Sequence, residues 1–77
     1  MAKASVGERI RVQREKKGLS ARELDRLAGL HEGHVAQIES GRVPRVSLRT
    51  AAALAEAMGV RLDWLATGEG PERRSSA

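Results

Sequence analysis

The sequence predicts an all-α domain with five helices, and three features of the chain indicate this fold class. Glycines at positions 18, 29, 41, 59 and 68 each follow a stretch in which apolar residues recur at helical spacing. Two of the expected helix starts carry Ser-x-x-Glu, the form of a capping box. Val and Ile do not alternate with polar residues over the length of a strand. We therefore expect a compact helical bundle without a sheet.

The first two predicted helices are marked at both ends. We expect them at about residues 6–17 and 21–28, each preceded by a serine that serves as N-cap. Gly18 and Gly29 stand where left-handed C-caps are common. The apolar spacing predicts which side chains of these two helices face the core: Val6, Ile10, Leu24, Leu27 and Ala28.

The remaining three predicted helices are less uniform. The third, at about residues 32–40, has a narrow apolar stripe of Val35 and Ile38 on a polar helix. The fourth starts after Ser47, and a short fifth at about residues 62–66 closes the bundle. The inward residues predicted for the last two helices are Leu48, Ala51, Ala52, Ala55, Met58, Leu62, Trp64 and Leu65.

The chain is expected to form one domain with flexible ends. Residues 1–4 are expected to be disordered, residues 5–67 to form the folded domain, and residues 68–77 to form a flexible tail, because GEGPERRSSA is small and polar. The first residues lack an apolar stretch of the kind a signal peptide needs, and no run is long enough to span a membrane. We therefore expect a cytoplasmic protein.

Composition excludes several classes of function. The chain has 77 residues, no cysteine, and Trp64 as its only aromatic residue. It therefore has no disulfide framework, zinc ribbon or thiol nucleophile, and it is too small for a large active-site cleft. It lacks aromatic platforms for stacking single-stranded bases. No phosphate loop or supported Ser/His/Asp arrangement is present, so we expect no enzyme activity and no cofactor.

Positive charge is concentrated in the first part of the chain. Residues 1–49 contain eleven basic and six acidic side chains, a net charge of +5, whereas residues 50–77 contain three and four, a net charge of −1. This favours phosphate contacts by the first part. The basic residues of the first helix have two interpretations, phosphate contact or solubility: Arg9, Arg11, Lys16 and Lys17.

The second and third predicted helices are joined by a short turn at Gly29, which is the arrangement of a helix-turn-helix. The segments LSARELDRLAGLHEGHVAQIESGR and SLRTAAALAEAMGVRLDWLATGEGP resemble the Cro/repressor-type (XRE) helix-turn-helix family of bacteria and phages. The resemblance extends over about residues 5–71 and is especially close to phage repressor N-terminal domains at DWLATG. It implies a five-helix bundle of the lambda-repressor-like type, with residues 21–28 as the supporting helix and the segment after Leu30 as the recognition helix. It also implies a bacterial or phage-encoded protein that is associated with the nucleoid.

The resemblance also implies roles for individual residues. Arg14 and Glu39 match a pair that forms an internal salt bridge in the family. The positions that contact bases fall on Glu32, Gly33, His34 and Gln37. The positions that contact phosphates fall on Arg22 at the start of the supporting helix, on Ser40 and on Arg42, and Arg45 in the following loop is expected to lie along the DNA backbone.

Base readout follows from the chemistry of these side chains. Gln37 suits adenine N6 and N7, and Glu32 suits the amino group of cytosine. His34 suits guanine or a phosphate. Gly33 has no side chain to read with, so we expect it to let the helix backbone approach the duplex closely.

Four positions depart from the family pattern. Ala21 replaces a Gln that contacts phosphate, and Gln13 replaces a Leu. Asp25 replaces a small Ala at the helix crossing, and we expect it to cap the amides at the start of the recognition helix, where His31 replaces the usual Ser or Thr cap. The loop after Gly41 is about one residue longer than usual, with its proline shifted.

Two features have competing interpretations. His31-Glu32-Gly33-His34 superficially resembles a metal site, but its spacing is not that of HExxH and a third ligand is not evident, so we expect no metal. Trp64 either closes the core over the alanine-rich fourth helix or, with Leu65, contributes to a dimer interface.

The sequence therefore predicts a sequence-specific, double-stranded DNA-binding transcriptional regulator, in particular a repressor that binds a palindromic operator as a homodimer. No membrane partner or small-molecule effector is expected. The alternative is a protein-interaction module, antitoxin-like or an anti-repressor partner, that retains the fold. Asp25, Glu32 and the missing Gln at position 21 favour the alternative, while the short tail counts against it.

Overall fold

Five helices account for most of the chain in the computed structural model, which describes residues 5–43 and 45–73. Within these residues the only β-type pairing is an isolated bridge between Val60 and Arg73. None of the described helices is long and apolar enough to cross a membrane. The predicted all-α fold is confirmed, with α1 at Val6–Lys16, α2 at Ala21–Ala28, α3 at His34–Glu39, α4 at Leu48–Met58 and α5 at Leu62–Thr67.

Local signals in the sequence explain where these helices begin and end. The hydroxyl groups of Ser5, Ser20 and Ser47 each accept a hydrogen bond from the backbone amide three residues later. At Ser20 the capping box is complete, since Glu23 accepts a hydrogen bond from the Ser20 amide at 2.8 Å. Helix α2 ends at Gly29, whose φ of +71° lies in the left-handed region that favours glycine.

The core draws side chains from all five helices, and its fully buried members are Ile10, Leu24, Val35, Ile38, Leu54, Ala55, Met58, Val60 and Leu65. The predictions for Leu27 and Leu48 were wrong, because these side chains are 61% and 74% exposed. Successive residues of a helix are rotated by about 100° around its axis, and the buried side of α2 carries Leu24 and Asp25. Around this axis, Leu27 lies on the side of Leu24 that faces away from Asp25, and its side chain is therefore exposed. In α4 the buried face begins one turn after Leu48, at Ala51.

The segment after α5 differs from the predicted flexible tail. The amide of Arg61 donates to the carbonyl of Glu72 at 2.9 Å, next to the Val60–Arg73 bridge. The Glu72 carboxylate accepts a hydrogen bond from the side-chain amide of Gln13, which is 4% exposed. A buried amide requires a partner, and Glu72 supplies it. The packed chain thus extends through residue 73, while residues 1–4 and 74–77 lie outside the described residues.

Two of the four basic residues with competing interpretations, Arg9 and Lys16, have internal partners. The guanidinium of Arg9 is buried and donates to the carbonyls of Leu65 and Ala66 at 2.9 and 3.0 Å, near the C-terminal end of α5. Lys16 lies 3.6 Å from the Glu72 carboxylate. Neither phosphate contact nor solubility therefore explains Arg9. It anchors α5 to α1 by satisfying carbonyls that the end of a helix leaves unpaired.

Candidate nucleic-acid interface

Helix α3 begins later than predicted. Its first residue is His34, and the residue before it, Gly33, is a left-handed N-cap with a φ of +92°. Glu32 therefore lies in the turn rather than on the helix. Gly33 likewise precedes the helix instead of lying within it, and a side chain would strain this backbone conformation, so glycine is needed for the turn itself. A close approach of its backbone to the duplex stays a prediction.

Asp25 secures the start of α3 from the neighbouring helix. Its Oδ2 accepts a hydrogen bond from the amide of Gly33 at 2.9 Å, and its Oδ1 accepts one from the amide of Val35 at 2.8 Å. The side chain is only 3% exposed. The expectation that Asp25 caps these amides is confirmed, whereas His31 is not the N-cap. Asp25 thus ties the turn and the first turn of α3 to α2.

The end of α3 is held by α1. The guanidinium of Arg14 donates to both carboxylate oxygens of Glu39, at 2.8 and 3.0 Å, and to the carbonyl of Leu19 at 2.8 Å. The hydrogen bonds to Glu39 raise the pKa of Arg14 above its already high ordinary value. This is the internal salt bridge that the resemblance implied. With Asp25 at the other end, it fixes α3 on the bundle.

The exposed side of α3 brings together three of the residues expected to contact DNA. Gln37, Ser40 and Arg42 line one shallow depression together with Ala36. The Ser40 hydroxyl donates to the carbonyl of Gln37 at 3.0 Å, so its single hydrogen is already used within the protein. A phosphate contact by Ser40 would have to replace this exposed internal hydrogen bond, and the role stays a prediction. Gln37 and Arg42 are exposed and remain candidates at this surface.

A second depression lies at the turn, between α2 and the start of α3. It is lined by Arg22, Asp25, Arg26, Leu30 and Glu32. Here Arg22 and Glu32 form an ion pair at 3.0 Å, with both side chains more than half exposed. Arg22 therefore balances the negative charge of Glu32, which would otherwise repel a DNA phosphate. Exposed pairs of this kind are weak, so either side chain is free to exchange its partner.

The two histidines of the turn face each other. The Nδ1 atoms of His31 and His34 lie 3.3 Å apart, and the ring centroids are 4.5 Å apart with the planes tilted by 58°. Sequence reasoning missed this pair because it assigned His31 to the N-cap. Among the described residues there is no group of three or more ligating side chains placed to hold a metal ion.

The other expected contacts lie outside this surface or on its edge. Leu65 is completely buried in the core, which contradicts a role in a dimer interface, since no part of its side chain is accessible. Trp64 is half-buried and packs against the core, so only its exposed edge is available to a partner. Arg45 is exposed in the loop after α3. The preceding residue, Pro44, lies outside the described residues.

A helix-turn-helix family model matches residues 10–65, which include both α2 and α3. The chain belongs to the helix-turn-helix family. Its structure is similar to that of the P22 c2 repressor protein, solved in complex with synthetic operator 9T in the presence of Tl+. That repressor is 25% identical, with a TM-score of 0.77, and the match covers 87% of this chain and all of the other. The Cro/repressor-type resemblance and the lambda-repressor-like fold are confirmed, and the family supports a DNA-binding transcription regulator.

Proposed function

We propose that this protein is a sequence-specific, double-stranded DNA-binding repressor that acts by occupying an operator. The observation that carries the proposal is the joint exposure of Gln37 and Arg42 in one depression on α3. This helix is bound at its start by Asp25 and at its end by Arg14. A rigidly held helix with a polar outer face is what the major groove admits.

Each exposed side chain has a specific task in the proposed complex. Gln37 makes a bidentate contact to adenine, and His34 donates to guanine or to phosphate. Arg42 and Arg45 bind phosphates at the edge of the groove. Arg22 exchanges Glu32 for a phosphate oxygen, which releases the carboxylate to accept from the amino group of cytosine.

The alternative function, a protein-interaction module, loses two of its arguments. Asp25 departs from the family pattern, but its carboxylate serves two backbone amides inside the domain. Glu32 places a negative charge on the DNA-facing surface, but Arg22 balances it. Neither carboxylate needs a protein partner to explain it. The absence of Gln at position 21 is the remaining departure that favours this alternative.

We further propose that the repressor binds a palindromic operator as a homodimer. Helix-turn-helix proteins of this kind place their recognition helices in successive major grooves, about 34 Å apart. The P22 c2 repressor, whose fold is similar, has been solved with an operator. The exposed edge of Trp64 is the proposed contact between the two copies, because it combines an apolar ring with partial exposure.

DNA binding is tested with a duplex selected from a random-sequence library, followed by fluorescence anisotropy at several salt concentrations. If about five phosphates are contacted, log K falls with log salt at a slope near −4.5. Gln37→Ala should relax the preference at one or two base pairs at a cost of about 1–3 kcal/mol. Arg42→Ala should weaken selected and random duplexes equally. Arg61→Ala, which removes the same charge from the acidic part of the chain, is the matched control.

Three outcomes contradict the proposal. Weak binding to every duplex, with no dependence on salt, would exclude the repressor function. An equal loss for Gln37→Ala on selected and random duplexes would show that α3 does not read bases through this face. For the homodimer, a monomer mass at all concentrations and on a selected duplex, with constant Trp64 emission, would exclude the interface.

A further inference from the structure

His31 and His34 form a pair that must hold a hydrogen between its rings. Their Nδ1 atoms are 3.3 Å apart, and two nitrogen lone pairs cannot hydrogen-bond to each other. One Nδ1 therefore carries the hydrogen and the other accepts it. Because neutral imidazole has a single N–H, the state of each Nδ1 decides whether the outer nitrogen, Nε2, is a donor or an acceptor.

In the free protein, the two carboxylates of the turn already have other partners. The Asp25 carboxylate accepts from the amides of Gly33 and Val35. The Glu32 carboxylate is paired with Arg22 at 3.0 Å, and Arg26 lines the same depression. The described carboxylates of the turn are thus bound to other partners. The two rings depend on each other to set their hydrogens.

The pair is placed where its outer nitrogens matter. His34 is the first residue of α3 and lies one turn before Gln37, the proposed adenine contact. An Nε2–H group on His34 matches the acceptor atoms of a guanine edge or a phosphate oxygen, whereas an unprotonated Nε2 does not. The hydrogen between the rings therefore decides what His34 is able to recognise.

We propose that His31 is a positioning residue for DNA recognition by His34, in which the Nδ1–H of His31 donates to the Nδ1 of His34. The neutral pair has two ring hydrogens. One lies between the Nδ1 atoms, and the other is then the Nε2–H of His34. His34 then donates to an acceptor on the DNA. This inference rests on the proposed function.

The free protein provides the first test, independent of DNA. His31 and His34 are the two histidines of the chain, so every imidazole signal belongs to the pair. In nitrogen-15 nuclear magnetic resonance of the neutral rings, the hydrogens should lie on the Nδ1 of His31 and on the Nε2 of His34 in the wild type, and His34→Phe should reduce the Nδ1–H form of His31. The same tautomer populations of His31 in the wild type and in His34→Phe would overturn the pairing.

The second test is a double-mutant cycle on a selected duplex, read by fluorescence anisotropy. Phenylalanine keeps a ring of similar shape but has no ring nitrogen. His31→Phe should weaken binding by about three- to tenfold in the wild type and have no further effect in the His34→Phe background. An equal effect of His31→Phe in both backgrounds, or no effect in either, would overturn the proposed role of His31.

A comparison of the selected duplex with a random duplex also distinguishes the two possible acceptors on DNA, a guanine edge and a phosphate oxygen. A guanine edge confines the His31→Phe effect to the selected duplex, whereas a phosphate oxygen produces the same effect on a random duplex. If the wild type binds no duplex, the proposed function fails, while the nuclear magnetic resonance of the free protein still decides whether the two rings are paired. If the wild type binds tightly and the cycle shows no coupling, the inference about His31 fails alone.

Discussion

The carboxylate of Asp25 and the amide of Val35 are joined by a 2.8 Å hydrogen bond that crosses from α2 to α3. The second oxygen of Asp25 accepts from the amide of Gly33 at 2.9 Å. An N-cap side chain normally precedes its own helix in sequence. Here the residue at the N-cap position is a glycine without a side chain, and the preceding helix supplies the acceptor. The orientation of the recognition helix thus depends on a residue of the supporting helix.

Removal of this carboxylate should destabilise the domain. Asp25→Ala leaves the amides of Gly33 and Val35 without their acceptor, and Val35 is fully buried. The expected loss is about 1–3 kcal/mol of the free energy of unfolding, measured by urea denaturation followed by circular dichroism. Asp25→Asn keeps one acceptor oxygen and should lose less. Equal stability of the wild type and Asp25→Ala would contradict the role of this cap.

The Arg14–Glu39 pair should show strong coupling. Both side chains are largely buried, and removal of one partner leaves an uncompensated charge. Glu39→Leu alone should cost about 3–5 kcal/mol of the free energy of unfolding, while the double variant Arg14→Met, Glu39→Leu should recover much of this loss. The measurement is a double-mutant cycle by urea denaturation. Additive losses for the two positions would show that the pair is not coupled.

Much of the fold could be predicted from local sequence signals. The helix starts at Ser5, Ser20 and Ser47 depend on a serine hydroxyl and the amide three residues later, which the sequence displays directly. The Arg14–Glu39 pair was implied by the resemblance to the repressor family. The length of α3 was harder to predict, because its start depends on the left-handed conformation of Gly33.

The tertiary partners of polar residues could not be predicted in the same way. Arg9 anchors α5 through carbonyls that lie 56 and 57 residues away along the chain. Gln13 and Glu72 are 59 residues apart, and neither periodicity nor composition relates them. Arg22 was expected to contact a phosphate and Glu32 a base, and neither expectation predicted that the two side chains form an ion pair. Such contacts depend on how the helices pack, which local patterns do not specify.

A methyl group added at Gly7 should destabilise the domain. A Cβ at this position would lie 2.6 Å from the carbonyl oxygen of Ile38, so α1 and α3 would have to separate. In an unhindered helix, alanine is more favourable than glycine by about 1 kcal/mol. Gly7→Ala should nevertheless reduce the free energy of unfolding by about 1–3 kcal/mol, because the backbone of α3 cannot yield easily. Chemical denaturation measures this change, and a gain in stability would show that the two helices tolerate the methyl group.

The bond between Gln13 and Glu72 should contribute to stability. Glu72→Ala leaves the buried amide of Gln13 without its described acceptor, and we expect a loss of about 1–3 kcal/mol. Gln13→Leu should reduce the effect of Glu72→Ala, because the buried amide is then absent. Thermal denaturation of the four proteins measures the coupling. If Glu72→Ala has the same effect in both backgrounds, the hydrogen bond to Gln13 does not stabilise the segment after α5.

The capping box of α2 should weaken in acid. The Ser20 amide, which donates to the Glu23 carboxylate, and the Ser20 hydroxyl hold the pKa of Glu23 below its usual range. A lowered pKa in the folded state means that the carboxylate stabilises the domain above the pKa of unfolded glutamate, about 4.3. This contribution is lost as the pH falls through the pKa of the folded state.

Thermal melting of the wild type and Glu23→Gln between about pH 7 and pH 3 tests this dependence. The wild type should melt at a higher temperature at neutral pH, and the difference should shrink as Glu23 becomes protonated. Glu56→Gln is the control, because Glu56 is exposed near the C-terminal end of α4, where a negative charge opposes the helix dipole. Its removal should leave the melting temperature equal or slightly higher. If the difference for Glu23→Gln stays constant down to pH 3, the charge of Glu23 does not stabilise the start of α2.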